Sequence, residues 1–153
     1  MKTSLEPVLK SHPFFKGLSS EHLALVAGCA KNVVCREGFL FKEKDPANEF
    51  YLIREGLLNL EVASRSGPIV IDRMGPGDIV GWSWLFPPYH WKFDGRVVEP
   101  LHLISLAGAC LRAKCETDTR LGFDLMQRFN AVLIDRLQAT RLSLVEAYEE
   151  PKR

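Results

Sequence analysis

Apolar and polar residues alternate most clearly at Leu58-Asn59-Leu60-Glu61-Val62, the period-two pattern of a strand with one buried face. Similar short β segments are predicted around Val33 to Cys35, Phe39 to Lys42, Glu49 to Arg54, Leu57 to Ala63 and Ile69 to Arg73. Asp45-Pro46-Ala47-Asn48 and Ser64-Arg65-Ser66-Gly67-Pro68 carry the residues of tight turns and separate them. A small antiparallel barrel or roll follows, with one tip at Arg65 to Pro68 and a last strand at Leu101 to Leu106.

Helical spacing frames this β region. Leu5 to Phe15 mixes a short helical pattern with His12-Pro13-Phe14-Phe15, where the proline interrupts the helix and the two aromatics plug the core. Ser19 then caps a helix whose apolar face is Leu23, Leu25 and Val26 and which ends near Gly28. After the last strand, Ala107-Gly108-Ala109 reads as a hinge into a short helix, Cys110 to Glu116. A long helix runs from about Asp118 to Glu149, roughly 45 Å at the usual rise per residue, with Pro151 closing it. Phe123, Asn130, Leu137 and Leu144 share one heptad position, and Met126, Leu133, Thr140 and Ala147 share its partner. This is the pattern of a homodimer seam with Asn130 fixing register, while Leu125, Phe129 and Val132 face the roll. The alternative is an entirely intramolecular helix. The fold class is thus α+β, with residues 1–117 forming the roll and its N-terminal helices and residues 118–150 the dimerisation helix.

Composition narrows the class. With 153 residues and 46% hydrophobic content the chain suits one domain plus a protruding element. A formal charge of +1 gives no global attraction to nucleic acid or acidic lipid. No apolar run reaches the roughly 18 residues of a membrane span, so a soluble, cytoplasmic protein is expected. Cys29, Cys35, Cys110 and Cys115 make neither a CxxC pair nor a familiar zinc pattern and read as reduced, buried thiols. His12, His22, His90 and His102 are scattered over different elements, so no metal site is expected, and no nucleophile is visibly paired with a base. An enzyme is not expected.

The chemistry concentrates between Gly75 and Val98, GPGDIVGWSWLFPPYHWKFDGRVV. Gly81 admits close backbone approach to a ligand. Trp82-Ser83-Trp84-Leu85-Phe86 has the length of one helical turn, stopped by Pro87 and Pro88, and the N–H groups at its start attract anions. Lys92 or Arg96 then neutralises a phosphate, and Asp94 either selects a ligand amine or pairs with one of these cations. The ligand implied is a small anion with an apolar body.

This segment, together with Phe39 to Gly56 (FLFKEKDPANEFYLIREG), resembles the cyclic nucleotide-binding domains of the catabolite-activator type, and the resemblance runs from about Phe14 to the long helix. Lys44 departs from it, standing where the family usually has glycine. The family's phosphate-binding cassette reads Phe-Gly-Glu, a few apolar residues, then Arg, a small residue and Ala. The glutamate holds the ribose hydroxyl and the arginine the cyclic phosphate. Matched from Gly81 without gaps, Trp82 falls at the glutamate, Lys92 at the arginine, and Phe93 and Asp94 where small residues are usual. One inserted residue makes Arg96 the alternative phosphate partner. The resemblance implies a non-enzymatic sensor with cyclic AMP or cyclic GMP as candidate effector, its ligand residues being Gly81, Trp82, Ser83, Trp84, Lys92, Phe93, Asp94 and Arg96. Ligand would tighten Trp82 to Phe86 and shift the long helix through the hinge. The alternative is a degenerate domain in which the tryptophans close the pocket and the chain serves as a dimerisation or protein-interaction module. Many family members continue into a helix-turn-helix; none is found before Arg153, so sequence-specific DNA binding by this chain alone is not expected.

Overall fold

The computed structural model describes residues 5–149. Helix α1 (Glu6–Ser11) and a 3-10 turn at Pro13–Phe15 lead to α2 (Ser20–Ala27), where the Ser19 hydroxyl accepts from His22 N as the expected cap. Six strands follow: β1 (Ala30–Cys35), β2 (Phe39–Phe41), β3 (Glu49–Val62), β4 (Ile69–Met74), β5 (Ile79–Val80) and β6 (Asp94–Ala107). Helices α3 (Gly108–Thr117) and α4 (Thr119–Glu149) complete the chain, and Pro151 lies outside the described residues.

The sheet is antiparallel throughout in the order β1-β6-β3-β4, with β2 also on β6 and β5 also on β3. Two segments expected as separate strands, 49–54 and 57–63, are one 14-residue strand, and the last strand begins at Asp94 rather than Leu101. The break anticipated at Gly56 is a bend instead. The β3/β6 register shifts between Ile53 and Leu58, and Gly56 takes φ +100° where the Pro100 carbonyl passes so close that a side chain has no room. Both long strands fold over at this point, which closes the sheet into a roll.

The bend divides the apolar residues into two cores. One lies between the helices and the sheet, with Leu9, Phe15, Val26, Phe50, Trp84, Leu111, Leu125 and Phe129. The other fills the roll, with Phe41, Tyr51, Ile53, Leu58, Leu60, Trp91, Leu101 and Leu103. Helix α4 contributes Leu121, Leu125 and Phe129, four apart on one stripe, to the first core, and Val132 packs against it. Beyond Arg136 every described residue of α4 is exposed.

The cysteine expectation is corrected. Cys29, just after α2, and Cys110, in the first turn of α3, form a disulfide with Cα atoms 5.7 Å apart, while Cys35 and Cys115 are free. The pairing partners are 81 residues apart and meet only because β1 lies on β6, which puts the start of β1 beside the end of β6. The junction expected to act as a hinge is also tied. Ala107 N donates to Cys29 O at 3.0 Å, Gly108 N donates to Asn48 O at 2.8 Å, and the disulfide closes the same corner.

Candidate functional site

The 81–91 segment is not a helical turn. Leu85 N donates to Trp82 O at 3.1 Å and Tyr89 N to Phe86 O at 3.0 Å, two separate turns around a cis Pro87–Pro88 peptide. Successive N–H groups therefore do not converge, and the helix-start anion site anticipated at Trp82 is not formed.

The second half of the segment is set by the turn between β2 and β3. Trp91 N donates to Asp45 O and Lys44 N donates back to Trp91 O, both at 2.9 Å, and Ala47 N donates to Tyr89 O at 2.6 Å. Lys44 takes φ +75°, a left-handed conformation that glycine adopts freely, which explains why this turn position favours glycine. Held from both sides, Trp91 swings inward and is 6% exposed. Its ring stacks on Phe41 at 3.7 Å between centroids and 9° between planes, with Tyr51 beyond at 6.3 Å. Gly81, at φ +102°, lies directly beneath it: a Cβ there would sit 2.6 Å from Trp91 Cη2. Close approach at Gly81 thus serves the protein's own indole.

The cavity left around these rings is about 20 Å³, room for a water rather than for a nucleotide. Gly81, Trp82, Ser83, Lys92 and Phe93 line it, so five of the eight residues singled out in the sequence come together there. The other three do not. Trp84 is fully buried in the opposite core, stacked on Phe50 at 4.8 Å. Asp94 does not pair with Lys92 or Arg96; its Oδ1 accepts from Glu43 N at 2.9 Å and holds the β2–β3 turn. Arg96 Nε donates to both carboxylate oxygens of the buried Glu61 at 3.0 Å, and its guanidinium lies 4.5 Å over the Phe39 ring. Glu61 thus neutralises the guanidinium from its Nε side, and a phosphate on the remaining N–H groups would lie beside that carboxylate.

One residue of the site was not singled out in the sequence. Arg136 of α4 covers the cavity mouth, its guanidinium 5.1 Å from the centre of the Trp82 ring and bonded to the Ile79 carbonyl. Burial lowers its pKa from the ordinary value, opposed by Asp72 and Asp78. A lone arginine between Ile134 and Leu137 on an otherwise half-apolar stretch was its only signal. Lys92 stays exposed at the same mouth, with no ion-pair partner among the described residues.

The profile of the cyclic nucleotide-binding domain matches residues 32–118. The chain belongs to the cyclic nucleotide-binding domain family. A Geobacter metallireducens protein described as cyclic nucleotide-binding is 30% identical, with a TM-score of 0.77 over 90% of this chain and 99% of its own. A cyclic nucleotide-binding domain from Methylobacillus flagellatus superposes with a TM-score of 0.80 at 16% identity, covering 98% and 88% of the two chains. The Thermus thermophilus catabolite activator protein gives 0.71 at 23% identity, over 89% of this chain and 63% of that one. These last two likenesses speak for the fold alone. No curated protein matches the chain. The family is one of regulatory and sensor domains, and the antiparallel roll with a long C-terminal helix is its fold. Among the described residues no helix is long and apolar enough to cross a membrane.

Proposed function

We propose that this chain is a non-enzymatic regulatory domain of the cyclic nucleotide-binding family whose nucleotide pocket is filled by its own side chains, and which acts as a homodimerisation module through α4. The observation that carries this reading is Trp91, stacked on Phe41 in the roll interior and leaving about 20 Å³. Three further features agree with it. Trp82 stands where the family has its ribose-binding glutamate, Arg96 is charge-paired with Glu61, and Asp94 accepts from the Glu43 N–H. For the dimer, Leu137 and Leu144 of the seam are 50% and 59% exposed on a free-standing stretch of helix, which an isolated segment of that length does not sustain well in water.

A second reading has one observation in its favour. Lys92, Arg136 and Trp82 gather two cations and a flat ring at the cavity mouth, the surroundings that a small anionic effector with an apolar body needs. The Geobacter relative, described as cyclic nucleotide-binding, points the same way. Calorimetric titration with cyclic AMP and cyclic GMP separates the two, with Lys92→Ala as control. No saturable heat is expected; saturable heat that the variant loses would establish the sensor instead. Light scattering after size exclusion should give a dimer that Leu137→Glu/Leu144→Glu converts to monomer, and a monomeric parent would overturn the dimer.

A further inference from the structure

Helices α2 and α3 are joined by three ties that run in opposite directions along the two chains. His22 Nε2 lies 3.2 Å from Asp118 Oδ2, Lys114 Nζ donates to Leu25 O at 2.6 Å, and Cys29 is bonded to Cys110. Positions 110, 114 and 118 are four apart, and 22, 25 and 29 follow one helical stripe, so each segment turns a single face to the other. Only the Cys29–Cys110 tie is covalent, and it is the one that holds the start of α3.

Little else secures that start. No side chain caps α3, a helix of 10 residues, and Leu111 is its one fully buried apolar side chain. Gly108 N donates to Asn48 O, and Arg112 donates to the Trp84 carbonyl. A short, uncapped helix with so little apolar anchorage belongs to the low-stability end of a fold and opens before the sheet does. The disulfide is placed where a fraying first turn would otherwise lift away.

The surroundings also suit exchange of the bond. Cys29 is buried and Cys110 half-buried, so Cys110 is the more exposed partner. Gly28 leaves room for the Lys114 ammonium, since a Cβ there would lie 2.5 Å from Nζ. A positive charge therefore stands against the residue before Cys29, and a nearby cation favours the thiolate, the form in which a sulfur departs. Burial, then Asp118 and Glu116, raise the pKa of Cys115, which stays protonated at neutral pH and competes poorly for the bond.

We propose that Cys29–Cys110 is a redox latch on the corner between α2 and α3, closed when oxidised and opened by a dithiol reductant. One thiolate of the reductant attacks Cys110 Sγ, forming a mixed disulfide and expelling Cys29 as a thiolate. The second thiolate attacks the reductant's own sulfur in that mixed disulfide and releases Cys110. The two cysteines gain two electrons and two protons, and the reductant leaves as its disulfide. Asp118 carries the opening onward, because its Oδ1 accepts from Leu121 N at 3.2 Å and caps α4 while its Oδ2 meets His22. The latch requires nothing of the roll interior and stands whether or not α4 forms a dimer.

The test is hydrogen–deuterium exchange of the full chain, oxidised and in dithiothreitol, with alkylation under native conditions reporting which thiols are free. Cys35 and Cys115 alone should alkylate in the oxidised protein, and all four cysteines after reduction. Reduction should speed exchange within 108–117 by at least about tenfold more than within β3 or β6, a margin well inside what a disulfide contributes. Reoxidation should restore the protection, and Cys110→Ser should show the open pattern without reductant. A bond that resists dithiothreitol in the folded protein, unchanged exchange in α3, or exchange that rises equally in every element would overturn the proposal, the last because it marks a staple of the whole fold. The comparison of oxidised with reduced chain decides the matter even where Cys110→Ser folds poorly.

Discussion

Trp91→Ala removes the ring that fills the roll while leaving its backbone tethers, Trp91 N to Asp45 O and Lys44 N to Trp91 O, in place. The ring is almost fully buried and stacked 3.7 Å from Phe41, so the truncation both loses transfer energy and leaves a void that the tethered backbone cannot collapse into. Large aromatic truncations of this kind cost about 3–5 kcal/mol. The lost stacking on Phe41 adds about 0.5–1.5 kcal/mol. Phe86→Ala, 65% exposed in the same segment, is the internal control and should change stability by less than about 0.5 kcal/mol. Urea denaturation followed by far-UV circular dichroism measures both, provided the slope is unchanged.

The same variant separates steric from chemical reasons for excluding a nucleotide. Indole should bind the vacated space and restore part of the lost stability, as small aromatics fill engineered apolar cavities. Cyclic AMP should not, because Trp82 offers no carboxylate for the ribose and Arg96 remains with Glu61. A loss below about 1 kcal/mol for Trp91→Ala would refute the reasoning, since it would mean that the indole is not packed in the interior and the pocket stands open.

Other consequences are open to measurement. Reducing Cys29–Cys110 releases a loop with ends 81 residues apart, and the chain-entropy relation puts its contribution at about 4.5 kcal/mol; denaturation with and without a dithiol reductant should differ by about 2–4.5 kcal/mol, and coincident curves would mean the bond stabilises nothing. His12 has its pKa lowered by burial, opposed by the Ile53 backbone and by Asp78, and its Nδ1 accepts from Phe14 N. The unfolded chain therefore binds a proton first as pH falls through about 6.5, so His12 should destabilise the fold progressively below that pH, and His12→Phe should flatten this part of the stability profile. Lys44→Gly relieves a left-handed residue at φ +75° and should stabilise by about 0.5–1 kcal/mol, read from the denaturation midpoint.

What was legible in the sequence was local. The strand through Leu58 to Val62, the Ser19 cap and the stripe Leu125-Phe129-Val132 each depend on neighbours a few residues away and appear where expected. The alternation holds only as far as Leu60, since Glu61 is buried and Val62 is 38% exposed, and the turn expected at Asp45 to Asn48 closes at Lys42 to Asp45 instead. The site depended on pairings that cross the sheet: Arg96 with Glu61, Asp94 with Glu43, Trp91 with Phe41 and Cys29 with Cys110. Those follow from register, and register here shifts at the Gly56 bend and again between Phe39 and Phe41. A slip of one residue sends a side chain to the opposite face, so no spacing rule could have placed Arg96 on Glu61 rather than in the cavity.

A ligand stabilises the state it binds only in proportion to its concentration, whereas an indole carried on the chain is present in every copy. If Trp91 takes the nucleotide's space, the roll is held in one arrangement whatever the level of cyclic nucleotide. Arg136 carries that arrangement to α4 by bonding Ile79 O and covering Trp82. Regulation, on this reading, cannot enter through the roll interior. Outside it, the described structure holds a tie that chemistry can break, Cys29–Cys110, at the corner where α2 ends and α3 begins. A protein that responds to reductant, but not to cyclic nucleotide, is what this arrangement of the family's fold implies.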